Sequence, residues 1–200
     1  MVLAMENRKL CVGILAGLLL LSVSCRDESI SREMGSMYGQ EVSITLDSFQ
    51  IVGDTCLNQV GNRYPEKRFR LVVYSDSNAC SSCRIIRELG EWNDFLDKCR
   101  KYKDDLDIVF IVSPKRKDRN VVRFALKSQD VVVPVCIDTS GLFMRQNDFL
   151  PSNPMMHTFL TERRKIILVG SPHKNRHMEN LFWDRINSVG KDVHEGQISK

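Results

Sequence analysis

The chain has 200 residues, with 29 lysines and arginines against 25 aspartates and glutamates, for a net charge of +4. That length holds one domain with appendages and suffices to bury a real core. No basic block interleaved with aromatic residues occurs, so nucleic acid is excluded as an expected partner.

The N-terminus is a targeting segment. Arg8 and Lys9 precede an apolar run from Leu10 to Leu21, followed by Ser22-Val23-Ser24-Cys25. A positive start, an apolar stretch and small residues before a cysteine describe a secretory signal. At about 12 to 14 residues the run falls short of the ~20 that a membrane span needs. The Leu-Ser-Val-Ser-Cys25 ending resembles a bacterial lipobox, which implies cleavage before Cys25, lipidation of that cysteine and a membrane-tethered domain. Losing residues 1–24 removes one acid (Glu6) and two bases, which leaves a net charge of +3. Arg26-Asp27-Glu28 resembles a surface-export signal of some lipoproteins, and that resemblance implies an anchor in the outer membrane of a cell envelope. Residues 25–40 are polar and aperiodic, as a flexible tether should be.

An N-terminal extension over 41–65 comes next. Val42, Ile44 and Leu46 alternate within Glu41–Phe49, which predicts a strand; residues 52–69 are irregular. Leu71-Val72-Val73-Tyr74 is a short buried strand, and Asp76, Ser77 and Asn78 form a turn cluster. Cys80 and Cys83 then open a helix whose apolar face is Ile86, Leu89, Trp92 or Phe95, Leu96 and Cys99. The unpaired N–H groups and dipole at a helix start favour a thiolate, so the leading cysteine of such a pair has a lowered pKa. A redox dithiol, a structural disulfide and half of a zinc site are the readings of this spacing. Zinc needs four ligands, and no second Cys-X-X-Cys exists.

Leu106–Ser113 is a nearly continuous apolar run, as in a strand covered on both faces. Asn120–Ser128 shows a short helical pattern on Val121, Phe124 or Ala125, and Leu126. Val131–Ile137 is a third core strand, with Pro134 near its start or at a bulge. Asp138–Gly141 turns the chain and Leu142–Asn147 makes one or two helical turns. Lys115–Arg119 is a solvated loop, and Leu150–Pro154 is a loop with two prolines. Met156–Thr161 and Ile166–Gly170 form a hairpin, and Met178–Val189 is a closing helix with a polar tail over 191–200. Of the seven cysteines, Cys11 leaves with the signal and Cys25 carries lipid. Cys99 and Cys136, in apolar contexts, are buried free thiols; Cys56 has no assigned place. Trp92, Phe95 and Trp183 belong to the core, while His173, His177 and His194 are loop or surface residues.

Strands alternating with helices and ending in a hairpin imply an α/β architecture with a mostly parallel sheet plus antiparallel strands. Over residues 66–190 the chain resembles the thioredoxin-like lipoproteins related to the TlpA group, and more distantly peroxiredoxins. The resemblance is carried by Cys80-Ser81-Ser82-Cys83 after the first core strand, by Pro134-Val-Cys-Ile-Asp138 and by Thr158-Phe-Leu with Ile166-Ile. It implies a thioredoxin-like fold, a central mixed sheet flanked by helices with an N-terminal extension. It also implies a thiol–disulfide oxidoreductase that acts on exported proteins, needs no cofactor and is reset by an unidentified redox partner. Cys80 would then be the attacking thiolate, Cys83 the resolving thiol, and Ser81 and Ser82 the tuners of potential. Pro154, Met156 and His157 would form the substrate-facing loop. The chain departs from the family at Tyr74, where thioredoxin has a buried acid, and at Met156, where a cis-proline is usual. Two other readings stand beside this one: a non-enzymatic binding module that keeps the fold, and a copper-handling protein using Cys80, Cys83 and His157, since thiolate and imidazole suit Cu(I).

Overall fold

The structure, a computed structural model, describes residues 28–45, 50–52, 67–76, 89–127 and 135–195. The chain divides into two compact units, Met1–Ser36 and Met37–Lys200. Residues 28–37 form helix α1 rather than the expected flexible tether. Its polar surface is compatible with a solvated helix, and Glu28 and Arg32 lie one turn apart at 3.6 Å, in the favourable acid-before-base order.

The second unit is built on six strands: β1 (Gln50–Val52), β2 (Phe69–Ser75), β3 (Leu106–Val112), β4 (Val135–Ile137), β5 (Thr158–Glu162) and β6 (Lys165–Val169). Their order across the sheet is β1-β4-β3-β2-β5-β6. β2, β3 and β4 are parallel, with Leu71 opposite Ile108 and Ile111 opposite Cys136. β5 runs antiparallel to β2, with Leu71 opposite Leu160, and β6 antiparallel to β5. The helices are α2 (Asn93–Cys99), α3 (Arg119–Lys127), α4 (Leu142–Gln146) and α5 (Arg176–Glu195). The expected succession of strands and helices is therefore present.

Alternation along the strands divides the buried residues between the two faces of the sheet. Phe69, Leu71, Phe110, Val112, Val135, Ile137 and Leu160 join one hydrophobic cluster with Trp92, Phe95 and Leu96, Val122 and Leu126 of α3, and Phe182 and Ile186 of α5. The intervening positions Val72, Ile111, Cys136 and Phe159 point to the other face and are equally buried. Burial on both faces is why β3 is written as an apolar run broken only by Asp107.

Three expectations are corrected. The strand expected at 41–49 is absent from 41–45, where Glu41 makes only an isolated bridge to Lys165; residues 46–49 lie outside the described residues. The backbone follows the edge of β6 only as far as Val42, whose amide donates to the Arg164 carbonyl at 2.9 Å. At Ser43 the Asn147 side chain takes over, its Oδ1 accepting from the Ser43 amide at 2.8 Å and its Nδ2 donating to the Ser43 carbonyl at 2.9 Å. A side-chain amide thus replaces the neighbouring strand at Ser43. On α3 the buried stripe is Val122, Ala125 and Leu126, while Val121 and Phe124 are exposed. Five of the residues from Val121 to Leu126 are apolar, so two overlapping faces were available. The Arg119 guanidinium, which donates to the Thr139 carbonyl, helps to fix the phase. Finally, α5 continues through Gly190 to Glu195, so the polar tail of the sequence reading begins as helix.

The β5–β6 hairpin closes on two arginines, with φ of 46° at Arg163 and 72° at Arg164. Both residues lie in the left-handed region that two-residue hairpins require and that Asn-Gly occupies most readily. At the far end of β6, Gly170 has φ of 127°. A Cβ there would collide with the Met178 Cε atom.

Candidate functional site

In a parallel sheet the chemistry gathers where strands end and loops begin. The ends of β2, β3 and β4 share one edge with the start of β5, because β5 runs the other way. The Tyr74 amide donates to the His157 carbonyl at 2.9 Å, and the Ser113 amide to the Ser75 carbonyl at 2.8 Å. Asp76 is the last described residue before the dithiol segment. Cys80, Ser81, Ser82 and Cys83 lie outside the described residues, as do Cys25, Cys56 and Pro134.

The loop before β5 is ordered by its own sequence. Asn153 caps a short 3-10 turn over Pro154–Met156, its side chain accepting from the Met155 amide at 3.1 Å. Proline at the first position of the turn suits its fixed φ and missing donor. This geometry turns Met155 outward, 81% exposed, and buries Met156 and His157. Of the three residues expected to face a substrate, only Pro154 is exposed. Among the described residues no peptide bond is cis, and Met156 occupies a helical turn where the family pattern has its proline.

His157 packs beside Tyr74, with ring centroids 5.2 Å apart, and Tyr74 beside Phe143 at 4.9 Å. The position that holds a buried acid in thioredoxin is therefore an aromatic contact here. His157 Nε2 lies 2.8 Å from the Pro151 carbonyl. A carbonyl can only accept, so Nε2 carries the proton, and in the neutral ring Nδ1 is a lone-pair acceptor. Nδ1 and, separately, Ser75 Oγ are buried without a hydrogen-bond partner among the described residues. No group of three metal-ligating side chains occurs among the described residues.

Two residues support this edge in roles that the sequence did not assign to them. Asp138, fully buried, ties the end of β4 to α4. Its Oδ1 accepts from the Ser140 amide and hydroxyl and from the Leu142 amide, and its Oδ2 from the Phe143 amide at 2.9 Å. Asp138 thus reaches past the N-cap position Gly141 to accept from the first two amides of the helix. His173, expected at the surface, has a side chain only 5% exposed. It stacks on Trp92 at a centroid distance of 3.8 Å, and its Nδ1 lies 3.0 Å from Ser171 Oγ. The 3-10 turn Pro172–Lys174 after β6 brings it there.

Cys99 and Cys136 are free and buried, as expected. Burial first, then the Glu179 carboxylate, pushes the Cys99 thiol from its ordinary 9.0 up to about 12. Burial and then Asp107 push Cys136 equally to about 12. Neither is a thiolate near neutral pH, so neither competes as a nucleophile. Iodoacetamide at pH 8 is expected to leave both unmodified in the folded chain and to label both in guanidinium, as mass spectrometry would register. Labelling of either in the folded chain would contradict this assignment. Because the folded chain holds these protons after the unfolded chain has released them, the contribution of these two thiols to stability should stay constant below pH 9 and be lost from there towards 12. The slope is at most about 1.4 kcal/mol per pH unit for each thiol.

No protein-family model matches the chain, and no curated protein is detectably similar in sequence. Among solved structures it is similar to a thioredoxin-like protein determined in its oxidized form, at 16% identity and a TM-score of 0.42, over 76% of this chain and 95% of that one. It is similar to StoA from Bacillus subtilis at 18% identity and a TM-score of 0.41, over 57% and 84% of the two chains. The thioredoxin domain of a thiol-disulfide oxidoreductase from Bacteroides vulgatus gives 15% identity and a TM-score of 0.41, over 72% and 96%. Three parallel strands, an antiparallel hairpin added beside the first of them, and a closing helix over the sheet make the fold of this chain thioredoxin-like.

Proposed function

We propose that the chain is a thiol–disulfide oxidoreductase that works through Cys80 and Cys83 on exported proteins while held to a cell-envelope membrane by a lipid on Cys25. The observation that carries this reading is the register of β2 against β5. The strand that leads into Cys80-Ser-Ser-Cys83 ends beside His157, at the edge where the parallel strands open into loops. In that setting the Cys80 thiolate attacks one sulfur of a substrate disulfide and expels the other as a thiolate. The Cys83 thiolate then attacks Cys80 and releases the second substrate sulfur, which leaves the Cys80–Cys83 disulfide and two substrate thiols once protons are taken up. A separate dithiol partner returns the pair to the reduced state. Among the described residues no helix is long and apolar enough to cross a membrane.

A binding module without exchange chemistry is the competing reading, and two positions favour it. Tyr74 fills the place of the acid with an aromatic ring, and Met156 fills the place of the proline within a 3-10 turn. Insulin reduction by the full chain with dithiothreitol as electron source separates the two. Turnover that vanishes in Cys80→Ser, with unfolding temperature unchanged, is the expected result. Turnover that persists in Cys80→Ser removes the dithiol from the reaction.

A further inference from the structure

Helix α3 and the 3-10 turn before it combine charge and apolar surface on one outward side. Residues 115–127 carry six cations against the single carboxylate of Asp118, a net charge of +5 in a chain whose total is +4. The rest of the chain therefore sums to −1, and its basic character is concentrated here. Arg119 is engaged with the Thr139 carbonyl and Arg123 is half-buried, whereas Lys115, Arg116, Lys117 and Lys127 are exposed. Between them Phe124 is 75% exposed and Val121 54% exposed. The opposite stripe of the helix, Val122, Ala125 and Leu126, is already spent on the core.

An exposed phenylalanine beside a valine, one turn apart on a helix and fringed by lysine and arginine, has the pattern of a helix lying in a membrane interface. Apolar side chains there gain by entering the boundary between headgroups and acyl chains, and each cation near an anionic surface strengthens binding about fivefold. A soluble acidic protein would use the charge but give Phe124 no acyl layer to enter. We propose that this face of α3 docks on an anionic lipid surface, with Phe124 and Val121 inserted and Lys115, Arg116, Lys117 and Lys127 set against the lipid phosphates. The docking needs neither the dithiol nor the lipid on Cys25, and it would lay the domain against the surface to which its tether leads.

The test uses the full chain carrying Phe124→Trp, compared with the parent chain, on vesicles of phosphatidylcholine alone or mixed with phosphatidylglycerol. Both vesicles contain an acyl-chain nitroxide quencher. The added indole should be quenched on the mixed vesicles and not on phosphatidylcholine alone. Raising the salt to about 0.5 M should reverse the quenching, because exposed charges are then screened within a few ångströms. Lys115→Gln and Lys117→Gln should each weaken docking about fivefold. Quenching absent from both vesicles, or equal on both, overturns the proposal. So does shielding of the indole from aqueous iodide by soluble polyglutamate but not by vesicles, which would assign the face to an acidic protein.

Discussion

Replacing Arg70 by methionine is expected to lower the free energy of unfolding by about 3 kcal/mol. Arg70 in β2 and Asp107 in β3 lie directly opposite each other in the parallel register. The Arg70 Nε donates to Asp107 Oδ2 at 3.0 Å, with the two side chains only 14% and 9% exposed. Removing the guanidinium alone leaves a carboxylate withdrawn from water without its partner, which is far costlier than the net worth of the pair. The double change Arg70→Met with Asp107→Leu should therefore recover most of the loss. Urea denaturation of the three variants measures this directly. A double variant as unstable as the single one would show that packing, not the stranded charge, sets the cost. The pair lies at the opposite ends of β2 and β3 from the dithiol segment, so any exchange activity should be unaffected in variants that remain folded.

The second large effect is expected at Trp92, where alanine should cost about 4 kcal/mol. The indole is 2% exposed. It meets Phe95 and Phe110 edge-on at 5.7 and 5.4 Å and stacks on His173 at 3.8 Å. Three different elements thus share one side chain: the helix that follows the dithiol, strand β3 and the turn after β6. Truncation opens a cavity that none of them can fill alone, and dispersion contacts are lost on every side. Trp92→Phe should retain more than half of the stability lost in the alanine variant. A thermal unfolding midpoint left unchanged by Trp92→Ala would contradict the packing described here.

What the sequence made legible followed from periodicity. β2, β3, the hairpin and the closing helix could be read because their apolar residues repeat at intervals that only one structure satisfies. Both Trp92 and Phe95 proved to be buried, so the choice between them was unnecessary. Where two periods overlapped, as on α3, the pattern allowed two faces and tertiary packing selected Val122 over Val121. The stretch after Val42 failed for a different reason: its alternation was real, but the Asn147 amide satisfied Ser43 from a distance of 104 residues. No local rule reports such a partner. Arg70 and Asp107 were visible as opposite charges in two apolar strands, and only the register makes them a pair. At the candidate site, the family resemblance pointed to the loop before β5 as substrate-facing. It could not show that Asn153 and Pro154 would turn Met155, rather than Met156 or His157, toward solvent.

The reduction potential of the Cys80/Cys83 pair tests the proposed chemistry most directly. Equilibrating the full chain in glutathione or dithiothreitol buffers, then trapping free thiols and weighing the products, gives that value; protonated, buried Cys99 and Cys136 stay silent. An exchange enzyme should poise the pair between about −270 and −120 mV, where a disulfide can be both made and broken in turnover. A potential below about −300 mV would mark a bond made to endure, and would reduce the chain to a thioredoxin-like module that binds without exchanging.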